Sequence, residues 1–196
     1  MFQVRIHGRG GQGVVTAAEI LSVAAFGDGC FAQAFPSFGS ERTGAPVVAF
    51  CRIDAVRIRT REPIVVPDAL IVQDATLVHQ VDLFSGLRPG GYLLINSSRS
   101  FADLGLSDLV TSHGDHRFLT VPATELALGH TGRPVPNAVL LGGFAALTGV
   151  VSLEAVVHAI TARFSERVAA GNVAAAREAY RIVAGQKGVL ADASPG

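Results

Sequence analysis

The chain has 196 residues, carries 16 basic and 16 acidic side chains and has a formal net charge of zero, so no global field draws it to nucleic acid or to an anionic membrane. It is 49% hydrophobic, with a mean hydropathy of +0.40; that is enough for a substantial core, yet no apolar run approaches the ~18 residues of a membrane span. Only 16% of residues are charged, against about 25% in typical soluble domains, which points to a surface covered in good part by other chains.

In chain order, residues 2–7 alternate as a short strand and run into the glycine turn Gly8-Arg9-Gly10-Gly11-Gln12-Gly13. Residues 14–26 read as a helix that is apolar on nearly every face, so it is expected to lie between a sheet and another layer. Gly27-Asp28-Gly29 closes it, and 30–35 form a second strand. Residues 36–46, rich in Gly and Pro and carrying Ser37, Glu41 and Arg42, form a loop. Residues 47–52 form a strand, and 57–61, where Arg57, Arg59 and Arg61 alternate with neutral residues, an edge strand or hairpin arm with its arginines on one face. A short buried strand at 70–73, a helix at 75–85, and strands at 92–96 and 118–121 follow.

From Pro122 the text is helical, with candidates at 123–128, 137–147, 153–164 and 166–183. Ser152 stands as the N-cap of the third. Gly142 and Gly143 interrupt the second at a cost of about 1 kcal/mol each, which makes sense where another backbone packs closely. The pattern predicts an α/β fold: one domain over 1–186, with a mostly parallel sheet, helices on both faces and a helical C-terminal part, then a frayed tail at 187–196.

Cys30 and Cys51 lie in apolar, strand-like text, and Met1 leads straight into a strand pattern with no signal peptide. Both cysteines are expected as buried free thiols of a cytoplasmic protein. Two cysteines cannot hold a four-cysteine iron–sulfur cluster.

Gly8, Gly10 and Gly13 satisfy G-x-G-x-x-G between a strand and a helix. Such a turn lets backbone N–H groups approach an anion at a helix N-terminus carrying about half a positive charge, and Arg9 adds a full one. A nicotinamide site also needs an acid about 20 residues further on, at the end of the second strand. That strand ends at Gln33-Ala34-Phe35, and Asp28 comes too early. The ligand suited to the turn alone is a phosphate or carboxylate, and a tight turn that binds nothing is the plain alternative. Glu41 and Arg42, beyond a strand end and among rigid turn residues, are candidates to fix the loop or to hold a partner's polar groups. His113, Asp115 and His116 resemble a metal cluster, but Gly114 and the neighbouring Ser and Thr mark a surface loop. His7 sits beside the turn, where it can touch ligand or cap the turn; His79 and His158 fall in helical text.

Together, Gly8 to Val14 and the run Pro36-Ser37-Phe38-Gly39-Ser40-Glu41-Arg42-Thr43-Gly44-Ala45-Pro46-Val47 resemble the gamma subunit of pyruvate and related 2-oxoacid:ferredoxin oxidoreductases. The resemblance continues through Arg52-Ile53-Asp54, Glu62-Pro63-Ile64, Pro67-Asp68, Val121-Pro122-Ala123-Thr124, Asn137 before Leu141-Gly142-Gly143, and Asn172. It implies a subunit without a complete active site or metal of its own. Partner subunits would bind thiamine diphosphate with Mg²⁺, and a ferredoxin-like subunit would hold [4Fe–4S] clusters. The implied reaction is oxidation of a 2-oxoacid with coenzyme A as co-substrate to an acyl-CoA, carbon dioxide and two electrons. In that frame Gly8, Arg9, Gly10, Gly11, Gln12, Gly13, Ser37, Glu41, Arg42 and Asn137 help form the coenzyme A and substrate cleft. Thr43 stands where such sequences often have a second Arg, which moves anion recognition in this loop to Arg42. The stretch between Arg52 and Pro63 is longer and more basic than usual for such chains. The competing reading is a stand-alone nucleotide- or coenzyme A-binding α/β protein.

Overall fold

The computed structural model describes residues 1–37, 43–113 and 117–193. Its strands are β1 (Phe2–Arg9), β2 (Phe31–Pro36), β3 (Pro46–Asp54), β4 (Ala69–Val72), β5 (Tyr92–Asn96) and β6 (Phe118–Val121). They form one sheet in the order β2-β3-β1-β4-β5-β6. β1, β4, β5 and β6 are parallel neighbours, while β3 runs antiparallel between β1 and β2. The sheet is therefore mostly parallel as expected, with an antiparallel edge unit that the sequence pattern did not reveal. Because β3 separates β1 from β2, no parallel strand lies directly beside β1 on that flank, and a dinucleotide fingerprint has no adjacent second strand end there.

Alternation along β1 divides the core. Val4 and Ile6 face α1 (Val14–Gly27) and the C-terminal helices, whereas Arg5 and His7 face the other way. α1 packs between the sheet and α5 (Leu153–Arg163) through Val14, Ala17, Ala18, Ile20, Leu21, Ala24 and Ala25, but Val23 and Phe26 are exposed, so its apolar surface is covered less completely than expected. Asp28, at its C-terminal end, accepts from the Ser152 backbone N–H at 2.6 Å and hydroxyl at 2.7 Å, and Ser152 caps α5 by accepting from the Ala155 N–H at 3.1 Å. The second face is covered by Leu77, Leu83, Leu87, Leu104 and Leu106 packed on Leu70, Leu93 and Phe118. α2 (Ser107–His113) lies on this face, in text read as a loop; Gly114, Asp115 and His116 fall outside the described residues.

Three expectations are corrected. Residues 57–61 are exposed coil, because the segment after β3 must cross past β1 to reach β4 and meets no free sheet edge on the way. Arg52, itself 3% exposed, holds that crossing by donating to the Glu62 carbonyl at 2.5 Å. The helix at 75–85 shortens to a 3₁₀ turn, Ala75–His79. The carbonyls of Leu83 and Ser85, which a longer helix would arrange along its axis, instead accept from the Arg5 guanidinium at 2.7 and 2.8 Å. At the other end, α6 runs Glu166–Ala193, so the chain stays helical past residue 186. Among the described residues no helix is long and apolar enough to cross a membrane.

α3 (Ala123–Thr131) and α4 (Asn137–Thr148) complete the helical layer. α4 is buried along almost its whole length and crosses α6 at Gly142. A Cβ there would meet the Ala176 carbonyl oxygen at 2.0 Å, whereas one on Gly143 would meet only side-chain methyls at 3.2 Å. The close backbone approach expected of this glycine pair belongs to Gly142. Gly142→Ala is expected to lower unfolding free energy by about 2 kcal/mol or more, since overpacking outweighs the helix-propensity gain. Gly143→Ala should stay within about 1 kcal/mol of the parent in the same denaturant titration.

Candidate functional site

The C-terminal ends of β1, β2 and β4 lie on one edge of the sheet, where open α/β folds place their ligands. The glycine turn leaves β1 there and enters α1. Gly11 and Gly13 adopt φ of 94° and 69°, a region only glycine visits without strain. Gly13 is the N-cap of α1 and offers no side-chain cap, so the first N–H groups of the helix remain available. A Cβ on Gly13 would stand 2.4 Å from the Asn137 amide nitrogen, while the space around Gly11 is open.

The second loop meets this turn. Gly10 N–H donates to the Ala45 carbonyl at 2.9 Å, Gly44 N–H to the Gly10 carbonyl at 3.1 Å, and Ser37 N–H to the Val48 carbonyl at 2.9 Å. Between them opens a cavity of about 770 Å³ lined by Arg9, Gly10, Gly11, Gly13, Pro36 and Ser37, among others. Its size falls in the range of small-molecule sites. Glu41 and Arg42 lie outside the described residues.

Arg9 is not the free cation that the sequence offers. Its Nε donates to Asp74 at 3.1 Å, one terminal nitrogen to the Gly44 carbonyl at 3.1 Å, and the other to Thr76 and Gln80 at 2.7 Å each. Gln12 is committed as well: its side-chain oxygen accepts from the Arg9 N–H at 2.8 Å and its nitrogen donates to Asp74 at 3.0 Å. Burial works against the Asp74 charge, but hydrogen bonds from Thr76 and Gln12 and the charge of Arg9 win and hold its carboxyl below the usual range. Gly8 sits inside the sheet, where a Cβ would strike Val14 at 2.7 Å.

Of the sequence-derived candidates, Arg9, Gly10, Gly11, Gly13 and Ser37 border the cavity. Gly8 and Gln12 shape it from behind, and Asn137 packs under Gly13, its amide 3.4 Å from the Gly13 carbonyl oxygen. Asp74, Thr76 and Gln80 went unnoticed in the sequence. Asp74 directly after an apolar strand was the available signal, since strand ends carry site residues in this fold class.

His7 neither touches the cavity nor caps the turn. It is 6% exposed and accepts from Arg5 Nε at 3.0 Å. Burial, with the Arg5 charge second, pushes its pKa down to about 3. His79 contacts the Leu104 carbonyl at 3.0 Å, and His158 is exposed. Cys30 and Cys51 are free thiols, the latter buried and pushed up to about 12 by that burial.

An open α/β domain with a glycine turn over a cavity at the C-terminal edge of its sheet has the architecture of small-molecule-binding α/β folds. Residues 3–182 match the family model for pyruvate ferredoxin/flavodoxin oxidoreductase. The pyruvate synthase subunit PorC of Methanosarcina barkeri is 49% identical over 95% of this chain and 100% of its own length. The common gamma subunit of the pyruvate/ketoisovalerate oxidoreductases of Thermococcus kodakarensis is 45% identical over 92% of this chain and 96% of its own. The crystal structure of pyruvate oxidoreductase subunit PORC from Thermotoga maritima superposes with a TM-score of 0.76 at 36% identity, covering 92% of this chain and 95% of that one. The chain belongs to the pyruvate ferredoxin/flavodoxin oxidoreductase family and is of its gamma-subunit type.

Two measurements test the local physics. Asp74→Ala should speed amide hydrogen exchange of Gly10 and Gly44 at least tenfold, by releasing Arg9 and Gln12; unchanged exchange would show that the clamp is dispensable. For His7, the folded pKa lies below the unfolded value of about 6.5, so its contribution is complete above that pH and is lost as pH falls towards 3. Between pH 5 and 4, His7→Gln should flatten the pH slope of unfolding free energy by about 1.4 kcal/mol per unit, one proton's worth.

Proposed function

We propose that this chain is the gamma subunit of a coenzyme A-dependent pyruvate oxidoreductase complex, where it supplies one wall of the cleft through which coenzyme A and the 2-oxoacid approach. The observation that carries the reading is end-to-end likeness to subunits named for pyruvate, with no large insertion or missing segment. Thiamine-diphosphate-binding catalytic subunits and a ferredoxin-like subunit are its partners in a cytoplasmic complex. The overall conversion takes pyruvate and coenzyme A to acetyl-CoA and carbon dioxide, and two electrons leave through the iron–sulfur clusters to the acceptor.

The residues present do not fit those redox groups. The chain has two cysteines, and among the described residues no group of three or more His, Cys, Asp or Glu is placed to hold a metal ion. Thiamine diphosphate, bound on partner chains with Mg²⁺, supplies the electron sink for decarboxylation. This chain's own part is binding and orientation. The N–H groups at Gly11 and Gly13 and the uncapped start of α1 suit an anionic portion of the ligand. Ser37 provides a hydroxyl on the opposite wall, and Glu41 and Arg42 follow it in the same loop. Arg9 and Gln12 act as positioning residues through Asp74, and Asn137 through Gly13. No observation favours a stand-alone nucleotide- or coenzyme A-binding protein.

Ser37→Trp, which fills the cavity from an exposed position, provides the test in the assembled complex. The KM for coenzyme A should rise about tenfold, equivalent to about 1.4 kcal/mol, with kcat changed less than about twofold and thiamine diphosphate and iron contents unaltered. An unchanged KM would remove this cavity from the coenzyme A path.

A further inference from the structure

A second cleft, of about 560 Å³, opens on the far side of the glycine turn, and Gly11 and Gly13 border both spaces. The connection between α3 and α4 supplies Arg133, and the first turn of α6 supplies Arg167. Both arginines are exposed, and among the described residues neither guanidinium has a hydrogen-bond or ion-pair partner. Among the described residues, Arg9 is tied by Asp74 and Arg177 by Glu154. Two unpaired guanidinium groups lining one concavity are a different arrangement from a solvated charged surface.

The cleft is also built from below. Asn137 and Asn172 line it at 5% and 8% exposure. Asn172 donates its amide N–H to the Val168 carbonyl at 2.9 Å, which leaves its side-chain oxygen with no donor among the described residues. His130, on the wall, contacts Glu178 through Nε2 at 2.6 Å. The starts of α1, α4 and α6 reach the cleft, and neither α1 nor α4 has a side-chain N-cap. The C-terminal ends of α3 and α5 also border it through Thr131 and Phe164, and Glu166 opens α6. Helix ends carry about half a charge each, so the opposing ends largely cancel and the two arginines set the sign.

We propose that this cleft is a second binding subsite, one that takes a phosphate group. The guanidinium fork matches phosphate oxygens bidentately, and the space admits a small ligand rather than a protein segment or nucleic acid. The group can come from the 3′-phosphate of coenzyme A reaching around the glycine turn, or from a separate phosphate or phosphate ester. The first source rests on the coenzyme A reading above; affinity for phosphate itself does not.

The test compares the assembled complex with its Arg133→Gln/Arg167→Gln variant, with Arg57→Gln as a distant exposed control. Calorimetric titration with inorganic phosphate should show the affinity falling at least tenfold in the double variant and staying unchanged in the control. Equal phosphate binding by parent and double variant overturns the proposal, as does an equal loss in the control. Turnover with coenzyme A and with dephospho-coenzyme A then separates the sources. If the parent prefers coenzyme A and the double variant loses that preference, the 3′-phosphate occupies the cleft. If the preference survives while phosphate affinity falls, the cleft serves a separate phosphate. A loss of phosphate affinity alongside an unaffected Ser37→Trp enzyme would sustain this site while removing the cavity assigned to coenzyme A.

Discussion

One guanidinium organises the edge of the sheet where β1 and the glycine turn meet. Arg9, the last residue of β1, reaches the start of the 3₁₀ turn after β4 and the loop before β3 at once, through Asp74, Thr76, Gln80 and the Gly44 carbonyl. A charged hydrogen bond is about twice as strong as a neutral one, and here the charge is matched by a partly buried carboxylate. The glycine turn has little of its own to hold it, since Gly11 and Gly13 contribute no side chains and sit at positive φ. Without the Arg9–Asp74–Gln12 network, the segment would have many conformations to lose on binding, at about 1–2 kcal/mol per residue. The clamp meets that cost during folding and holds the turn in one conformation.

That arrangement shifts the meaning of the fingerprint. Gly10, Gly11 and Gly13 provide the surface, while Arg9 and Gln12 provide rigidity. The backbone dipoles lie on the first side of the turn, and on the second side the helical C-terminal part brings Arg133 and Arg167 up against it. The same part of the chain sets the spacing of the helical layer. Gly142 lets α4 approach α6 to backbone contact, and Asn137 at the start of α4 then packs under Gly13. A steric fact in the middle of a helix is thereby linked to the position of the glycine turn at its end.

The legible parts of the sequence were those with local causes. Ser152 caps its helix because the hydroxyl and the N–H it serves are three residues apart. The glycine turn is visible because strand, glycines and helix follow one another directly. The errors came where distant groups compete for backbone. Residues 75–85 have helical character, yet Arg5, far away in sequence, takes the Leu83 and Ser85 carbonyls. Residues 57–61 alternate like a strand, but a strand needs an open edge, and the topology gives this segment none. The helix at Ser107–His113 is short and polar, so its periodicity is faint.

The sequence by itself determined the α/β class, the turn that ends β1, the packing of α1 against the sheet and the need for a tight helix crossing at the Gly142-Gly143 pair. Each of these follows from residue type and near-neighbour spacing, which are written along the chain. Only the tertiary structure decided that β3 inserts antiparallel beside β1, that Arg9 is a clamp and not a ligand group, and that Arg133 and Arg167 share a cleft with the glycine turn. Those outcomes depend on which partner reaches a charge or a strand edge first in three dimensions, and a one-dimensional pattern does not carry that competition.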